Sequence, residues 1–380
     1  MKVLYISNVG DWSGSTIALK NLLTQLVPMG VEPLVVCKFR GQFTVWLDEK
    51  GISVEIIDFD WSYIPPIYSI RDLLAHYWRI YKYFRKERKC ITQLETVCFK
   101  FKPEIIHSNN GIIQIGFKVA KKLGINHIWH LREYQTLDFG MYPMPSMKIF
   151  KKMLKKSNCV AITKDIQRFF ELGSRESIVI YDGVMPAGAA RYNPNKEKYF
   201  LFVGRIEKSK GIDILLDVFI DFCKVNEEYN LKIAGEGMVD FMDLMRAKVI
   251  NAGINQRVDF LGFRTDRYDL MYNATATIVP SRFEAFGFIT VEAIMNGCPV
   301  IGNNVGGTAE IASNSPGNIL LYEGKNDLLF KLEEIVKYNI SEIECHINNL
   351  QLDAQNRYSV EKSADMIFSY YNSLFNQQTN

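Results

Sequence analysis

The chain has 380 residues, 48% of them hydrophobic and 23% charged, with a formal net charge of +3 and a mean hydropathy near zero. The composition is that of a globular chain, and no run approaches the ~18 consecutive apolar residues that a membrane-spanning helix needs. The length suits two domains rather than one core.

Met1–Gly10 is apolar for only a few residues, too few for a signal peptide, and reads as a first buried strand over 2–7. β-Branched runs continue the strand series at 33–37, 53–57, 104–107, 127–130, 159–163 and 178–181, with helical patterns over 15–28 and 112–123. The stretch from Pro186 to Asn195 breaks the pattern, punctuated by Pro186, Gly188 and Pro194 as a linker is. A second series follows at 199–203, 230–234, 257–261, 276–279, 298–302 and 318–322. Helical patterns at 211–225, 239–251, 288–296 and 325–337 lie between these strands. Strands alternating with helices predict an α/β chain with parallel sheets and right-handed crossovers.

The two halves differ in sign. Residues 1–190 carry 26 Lys and Arg against 17 Asp and Glu, net +9; residues 191–380 carry 19 against 25, net −6. This predicts an anionic surface met by the first half only. Two segments there fit the idea. Residues 67–102 form a long helical region rich in aromatics and base. Residues 147–156 place Met147, Phe150, Met153 and Leu154 on one helical face, with Lys148, Lys151, Lys152, Lys155 and Lys156 mostly elsewhere. Basic helices of this kind can lie on an anionic membrane, although a solvated lysine face is the commoner outcome. The seven cysteines are scattered without a C-x-x-C pair, and Cys345-His346 has no partner pair at zinc spacing. Reduced thiols in the cytoplasm follow from that pattern.

The chemistry is concentrated between Pro280 and Ile301. A buried strand runs into a loop holding the carboxylate Glu284 and the permissive Gly287, then into a helix. A helix N-terminus offers unpaired N–H groups and a positive dipole end, which suit a diphosphate. Phe286 and Phe288 flank that turn, and Glu292 follows within the helix, placed to accept from vicinal hydroxyls if it faces the ligand. A second strand–turn–helix, Phe202–Asp213, carries Gly204, Arg205 and Lys210. A guanidinium fork and an ammonium at one strand end suit phosphate oxygens.

Together these segments resemble the retaining glycosyltransferases of GT-B fold in family 4, the group with the E-x7-E motif. Glu284 and Glu292 stand at that spacing; Gly306-Gly307-Thr308-Ala309-Glu310 is similar to its G-G-x-x-E, and Gly204-Arg205 with Lys210-Gly211 to its G-R-x4-K-G. Gly235-Glu236-Gly237 and Phe260-Leu261-Gly262 fall in the family's order. The first half matches more loosely. Its turn Gly10–Ser15, with Gly14, has fewer glycines than the family's paired form, and Trp129-His130-Leu131-Arg132-Glu133 resembles the segment with an active-site histidine. His107, ending a strand, is a second candidate.

The resemblance implies two Rossmann-like domains with parallel sheets facing across a cleft. The acceptor domain is expected over 1–187, completed by a C-terminal helix at about 360–378, and the donor domain over 188–358. Arg205 and Lys210 would neutralise the leaving diphosphate without a metal. Backbone N–H groups around Phe286, Gly287 and Phe288 would assist, with Gly204 in the turn and Gly14 as a further donor contact. Glu292 would hold the ribose and Glu284 the transferred sugar, and His130 would sit near the anomeric carbon or the acceptor. Retention in this family is thought to use same-face attack, so no protein nucleophile is expected. No cofactor beyond the UDP- or GDP-sugar substrate is implied, nor a nucleic-acid partner. The acceptor would be a glycan or lipid-linked, as in bacterial cell-surface polysaccharide biosynthesis, with the chain cytoplasmic or peripheral on the inner membrane face.

Other readings stay open. An epimerase of the same fold would need its own acid and base and no acceptor platform. A degenerate sugar-binding partner subunit would not need Arg205, Lys210, Glu284 and Glu292 together. A two-carboxylate hydrolase would have no use for the phosphate-binding loops. Asp58-Phe59-Asp60 has the D-x-D form of metal-dependent transferases, but it ends a first-half strand with no donor site after it.

Overall fold

Short apolar runs become the buried strands of two parallel sheets. The computed structural model describes residues 1–67, 69–315 and 319–376. The chain divides into two units, Met1–Gly183 with Val360–Asn380, and Val184–Ser359. The first unit contains β1 (Lys2–Ser7), β2 (Glu32–Cys37), β3 (Ser53–Ile56), β4 (Tyr63–Ile64), β5 (Ile105–Ser108), β6 (Asn126–Leu131), β7 (Tyr142–Pro143), β8 (Asn158–Ala161) and β9 (Ser177–Val179). Seven of these form a parallel sheet in the order β3-β2-β1-β5-β6-β8-β9, and β4 pairs antiparallel with β7. Side chains alternate between two covered faces. Val3, Tyr5 and Val35 pack with Leu19 and Leu23 of the helix Gly14–Leu26 and with Ile367 and Tyr371 of the helix Val360–Asn376. Leu4, Ile6 and Leu34 pack with Leu94 and Cys98 of the helix Ile70–Phe101.

The second unit contains β10 (Glu197–Val203), β11 (Asn230–Ala234), β12 (Val258–Gly262), β13 (Ala274–Val279), β14 (Val300–Asn303) and β15 (Leu320–Tyr322). They form one parallel sheet in the order β12-β11-β10-β13-β14-β15. The order reverses between β10 and β13, and the carboxyl ends of strands at such a switch point are where open α/β sheets bind ligands. In the first unit the same reversal falls between β1 and β5.

Residues 184–187, expected with the first domain, pack in the second unit. The Val184 N–H donates to the Tyr358 carbonyl at 2.9 Å, and Met185 bridges to Ser359. The helix Ile70–Phe101 buries Tyr83, Glu87, Cys90, Leu94 and Cys98 but exposes Ile70, Leu74, Tyr77, Trp78 and Tyr81 near its start. The helix Met147–Leu154 buries Phe150 and Leu154 and turns Lys148 and Lys152 outward. Among the described residues no helix is long and apolar enough to cross a membrane.

Candidate active site

In the second unit the loops leaving β10 and β13 are joined at the switch point. Gly211 has the left-handed φ of 71° and seats its turn against the Pro280 carbonyl, a place closed to any side chain. The Arg282 N–H donates to the Ser209 carbonyl at 2.9 Å, and the Arg282 guanidinium grips both oxygens of Asp213 at 3.0 and 2.9 Å. Burial opposes the Asp213 charge, but this fork outweighs it and holds the carboxyl below its usual range. Lys210 Nζ donates to Glu284 Oε2 at 3.0 Å, bringing two of the expected residues together across the two loops. Arg205, 61% exposed, lies after Gly204 and pairs with Glu207 at 3.0 Å.

The loop carrying Glu284 is held from behind. The Gly307 N–H donates to the Glu284 carbonyl at 2.7 Å, and Gly307 lies flush against the Phe286 backbone. Phe286 is buried, with its ring edge-on to Phe288 at 5.2 Å and to Tyr358 at 5.9 Å. Gly287, at φ 100°, starts the helix Phe288–Met295. Glu292 lies buried in this helix, where Arg267 and Tyr268 engage it from the helix Arg267–Asn273. These two are functional candidates that the sequence reading missed. They stand about 25 residues upstream of Glu292, in no spacing that local pattern reveals.

Gly14 and His130 belong to the first unit. Gly14 is exposed at the start of its helix, where Ser13 and Thr16 exchange the hydrogen bonds of a capping box. His130, at the end of β6, is 1% exposed within a polar chain: its Nδ1 meets His107 Nε2 at 3.1 Å and Arg132 Nη2 at 3.1 Å. Arg132 also bonds Asp182, and His107 Nδ1 meets the Tyr371 hydroxyl at 2.6 Å. Arginine only donates, so the His130 Nδ1 accepts and the neutral ring carries its proton on Nε2, 3.7 Å from Asp182 Oδ1. Burial first, then the Arg132 charge, pushes the His130 and His107 pKa values well down, and burial raises that of Asp182. His130 therefore stays neutral near pH 7, and its buried Nε2 has no hydrogen-bond partner among the described residues. Asp58 and Asp60 are engaged by Lys86 and Lys38 in a surface cluster of ion pairs.

The second unit thus presents an exposed guanidinium, an ammonium–carboxylate pair and a glycine-started helix at a sheet's switch point, which suits an anionic ligand with hydroxyls. Residues 189–342 match the family Glycosyl transferases group 1. An uncharacterized glycosyltransferase of Methanocaldococcus jannaschii is 30% identical over 177 residues, 46% of this chain and 45% of that protein. The lipopolysaccharide core biosynthesis mannosyltransferase LpcC of Rhizobium leguminosarum is 25% identical over 175 residues, 45% of this chain and 49% of its own length. The match thus spans about half the length of each of these two relatives. The crystal structure of Anabaena HepE in complex with UDP and glucose superposes with a TM-score of 0.78 at 19% identity, covering 98% of this chain and all of that one. The chain has the GT-B fold and carries, in its second unit, a domain of the group 1 glycosyltransferase family.

Proposed function

We propose that this chain is a retaining glycosyltransferase that moves a sugar from a UDP- or GDP-sugar to a glycan or lipid-linked acceptor. The observation that carries the reading is the joining of the β10 and β13 loops through Lys210 and Glu284 at 3.0 Å, with Arg205 exposed in the same β10 loop as Lys210. The donor diphosphate lies against Arg205, Lys210 and the N–H groups that open the helix at Phe288, as preorganised charge for the leaving group. Glu284 aligns the transferred sugar and Glu292 the ribose. The acceptor oxygen attacks the anomeric carbon on the face the diphosphate leaves. As the C–O bond to phosphate breaks, the acceptor proton passes to the departing phosphate oxygen. His130, kept neutral by burial, serves in positioning rather than in proton transfer. The HepE complex supports trying UDP first, and the mannosyltransferase relative supports an acceptor in cell-surface polysaccharide biosynthesis.

We also place the first unit on the inner face of an anionic membrane. The support is the stripe Ile70, Leu74, Tyr77, Tyr81 and Phe84, spaced 4-3-4-3 along one helix, with Trp78 beside it. Residues 70–85 hold Arg71, Arg79, Lys82 and Arg85 against Asp72, net +3. Aromatic rings with basic flanks suit the headgroup region, and a second +3 face would repel this one. A hollow of about 380 Å³ elsewhere in the same unit is lined by Met147, Lys148, Lys151, Lys152, Lys155 and Glu171, whose carboxylate pairs with Lys151, and adds further basic ground.

The test is thermal unfolding with UDP, GDP, ADP and their common sugars. A nucleotide at about 100 times its Kd adds about 2.7 kcal/mol. One base class should raise Tm, and an Arg205→Ala/Lys210→Ala variant should lose the effect. No shift with any nucleotide would favour the degenerate-subunit reading instead.

A further inference from the structure

A carboxylate offers about four lone-pair positions, two on each oxygen. On Glu292 three are taken. Oε1 accepts from Arg267 Nη2 at 2.9 Å and from the Tyr268 hydroxyl at 3.2 Å, and Oε2 accepts from Arg267 Nε at 3.1 Å. The donors also bind each other: Arg267 Nη2 reaches the Tyr268 oxygen at 3.2 Å, and the guanidinium lies 4.7 Å over the Tyr268 ring. Burial and the neighbouring carboxylate push the Tyr268 hydroxyl up to about 12, so it remains a donor at neutral pH. Burial opposes the Arg267 charge, but the fork on Glu292 outweighs it and raises its pKa further.

Two consequences follow from this closed triad. The planar fork fixes the plane of the carboxylate, which a single donor does not do. It also cancels the charge of a buried carboxylate that would otherwise oppose a diphosphate nearby. One position then remains for a ligand, on Oε2, where holding both vicinal hydroxyls of a ribose would need two.

We propose that Arg267 is a positioning and specificity-determining residue of the nucleotide site, locking Glu292 so that it takes one ribose hydroxyl rather than the vicinal pair. This rests on the reading above that Glu292 faces the donor ribose.

Calorimetric titration of the full chain tests it, with UDP, GDP and ADP, then the 2′-deoxy and 3′-deoxy forms of whichever binds. One deoxy form should bind about tenfold weaker or worse and the other within about threefold of the parent. In Arg267→Met the carboxylate is unpinned, so the two deoxy forms should bind alike. Arg267→Lys keeps charge without the fork and should recover affinity but not the difference. Because Arg267→Met leaves a buried charge unpaired, Arg267→Met/Glu292→Gln is measured beside it. That variant should unfold nearer the wild-type temperature and still treat both deoxy forms alike. Equal losses for both deoxy forms in the wild type overturn the proposal, as does an Arg267→Met chain that keeps the wild-type difference. If no nucleotide binds the wild type, the donor-site reading falls and this proposal with it. If binding depends on Arg205 and Lys210 but the deoxy forms are equal, only the Arg267 proposal falls.

Discussion

Gly307→Ala tests whether the loop carrying Glu284 is held from behind. An alanine Cβ there would stand 2.6 Å from the Phe286 Cα and closer still to its carbonyl, where real contacts stay beyond 3.0 Å. The neighbour is backbone, so relief requires the segment Glu284–Gly287 to shift by about 1 Å. The Gly307 N–H bond to the Glu284 carbonyl, 2.7 Å, would lengthen with it. Overpacking of this kind costs about 1–3 kcal/mol. At roughly 2–4 °C per kcal/mol for a unit of this size, Tm should fall by several degrees. A misplacement of about 1 Å in a positioning loop costs about 10²-fold in rate. The assay is kcat/KM for sugar transfer with the donor identified by thermal shift, read beside nucleotide affinity. Gly188→Ala is the control, since a Cβ at Gly188 meets nothing within 4 Å. Wild-type affinity and turnover in Gly307→Ala would refute the reasoning.

Lys210→Ala removes the ammonium beside Glu284 and should lower kcat/KM by about 10²–10³-fold, with Lys210→Arg retaining part of it; an unchanged rate counts against a diphosphate at this place. Stability should fall on acidification from pH 7 to 5. His107, His127 and His130 are buried and kept neutral, His127 with its pKa pushed by burial to about 3, so below pH 6.5 the unfolded chain binds more protons. Each contributes up to about 2 kcal/mol over that range, while Asp182, raised by burial, acts in the opposite sense. Denaturation at the two pH values checks this, and His127→Gln should flatten the slope. Replacing Tyr77, Trp78 and Tyr81 with alanine should weaken sedimentation with anionic vesicles by roughly tenfold or more; equal binding of wild type and variant removes the helix face from the membrane reading.

Much of the fold was legible because a buried parallel strand writes a continuous apolar run. Val3–Ile6 and Phe200–Phe202 are near-fully buried on both faces, so no helical period competes with them. The helix Ile340–Tyr358 was not read because it is mostly polar, anchored by Ile347, Leu350, Ala354 and Tyr358 against its own unit. The pair β4–β7 escaped for a different reason: two-residue strands have no period at all, and only tertiary pairing of Tyr63 with Pro143 defines them.

The candidate site divides along the same line. Gly204, Lys210, Glu284 and Gly287 were visible because each serves a local need, a turn, a charge or a helix start, within a few residues of a strand end. Arg267 and Tyr268 were invisible because their contact with Glu292 exists only where two helices from separate crossovers meet. His130 marks the boundary between these cases. Its position at the end of β6 was readable, but its protonation depends first on burial and then on Arg132 and His107, which the fold gathers around it together with Asp182 and Tyr371. A histidine beside a strand end is therefore a statement about place, and whether it can move a proton is decided by the burial, and then by the charges, that the topology brings to it.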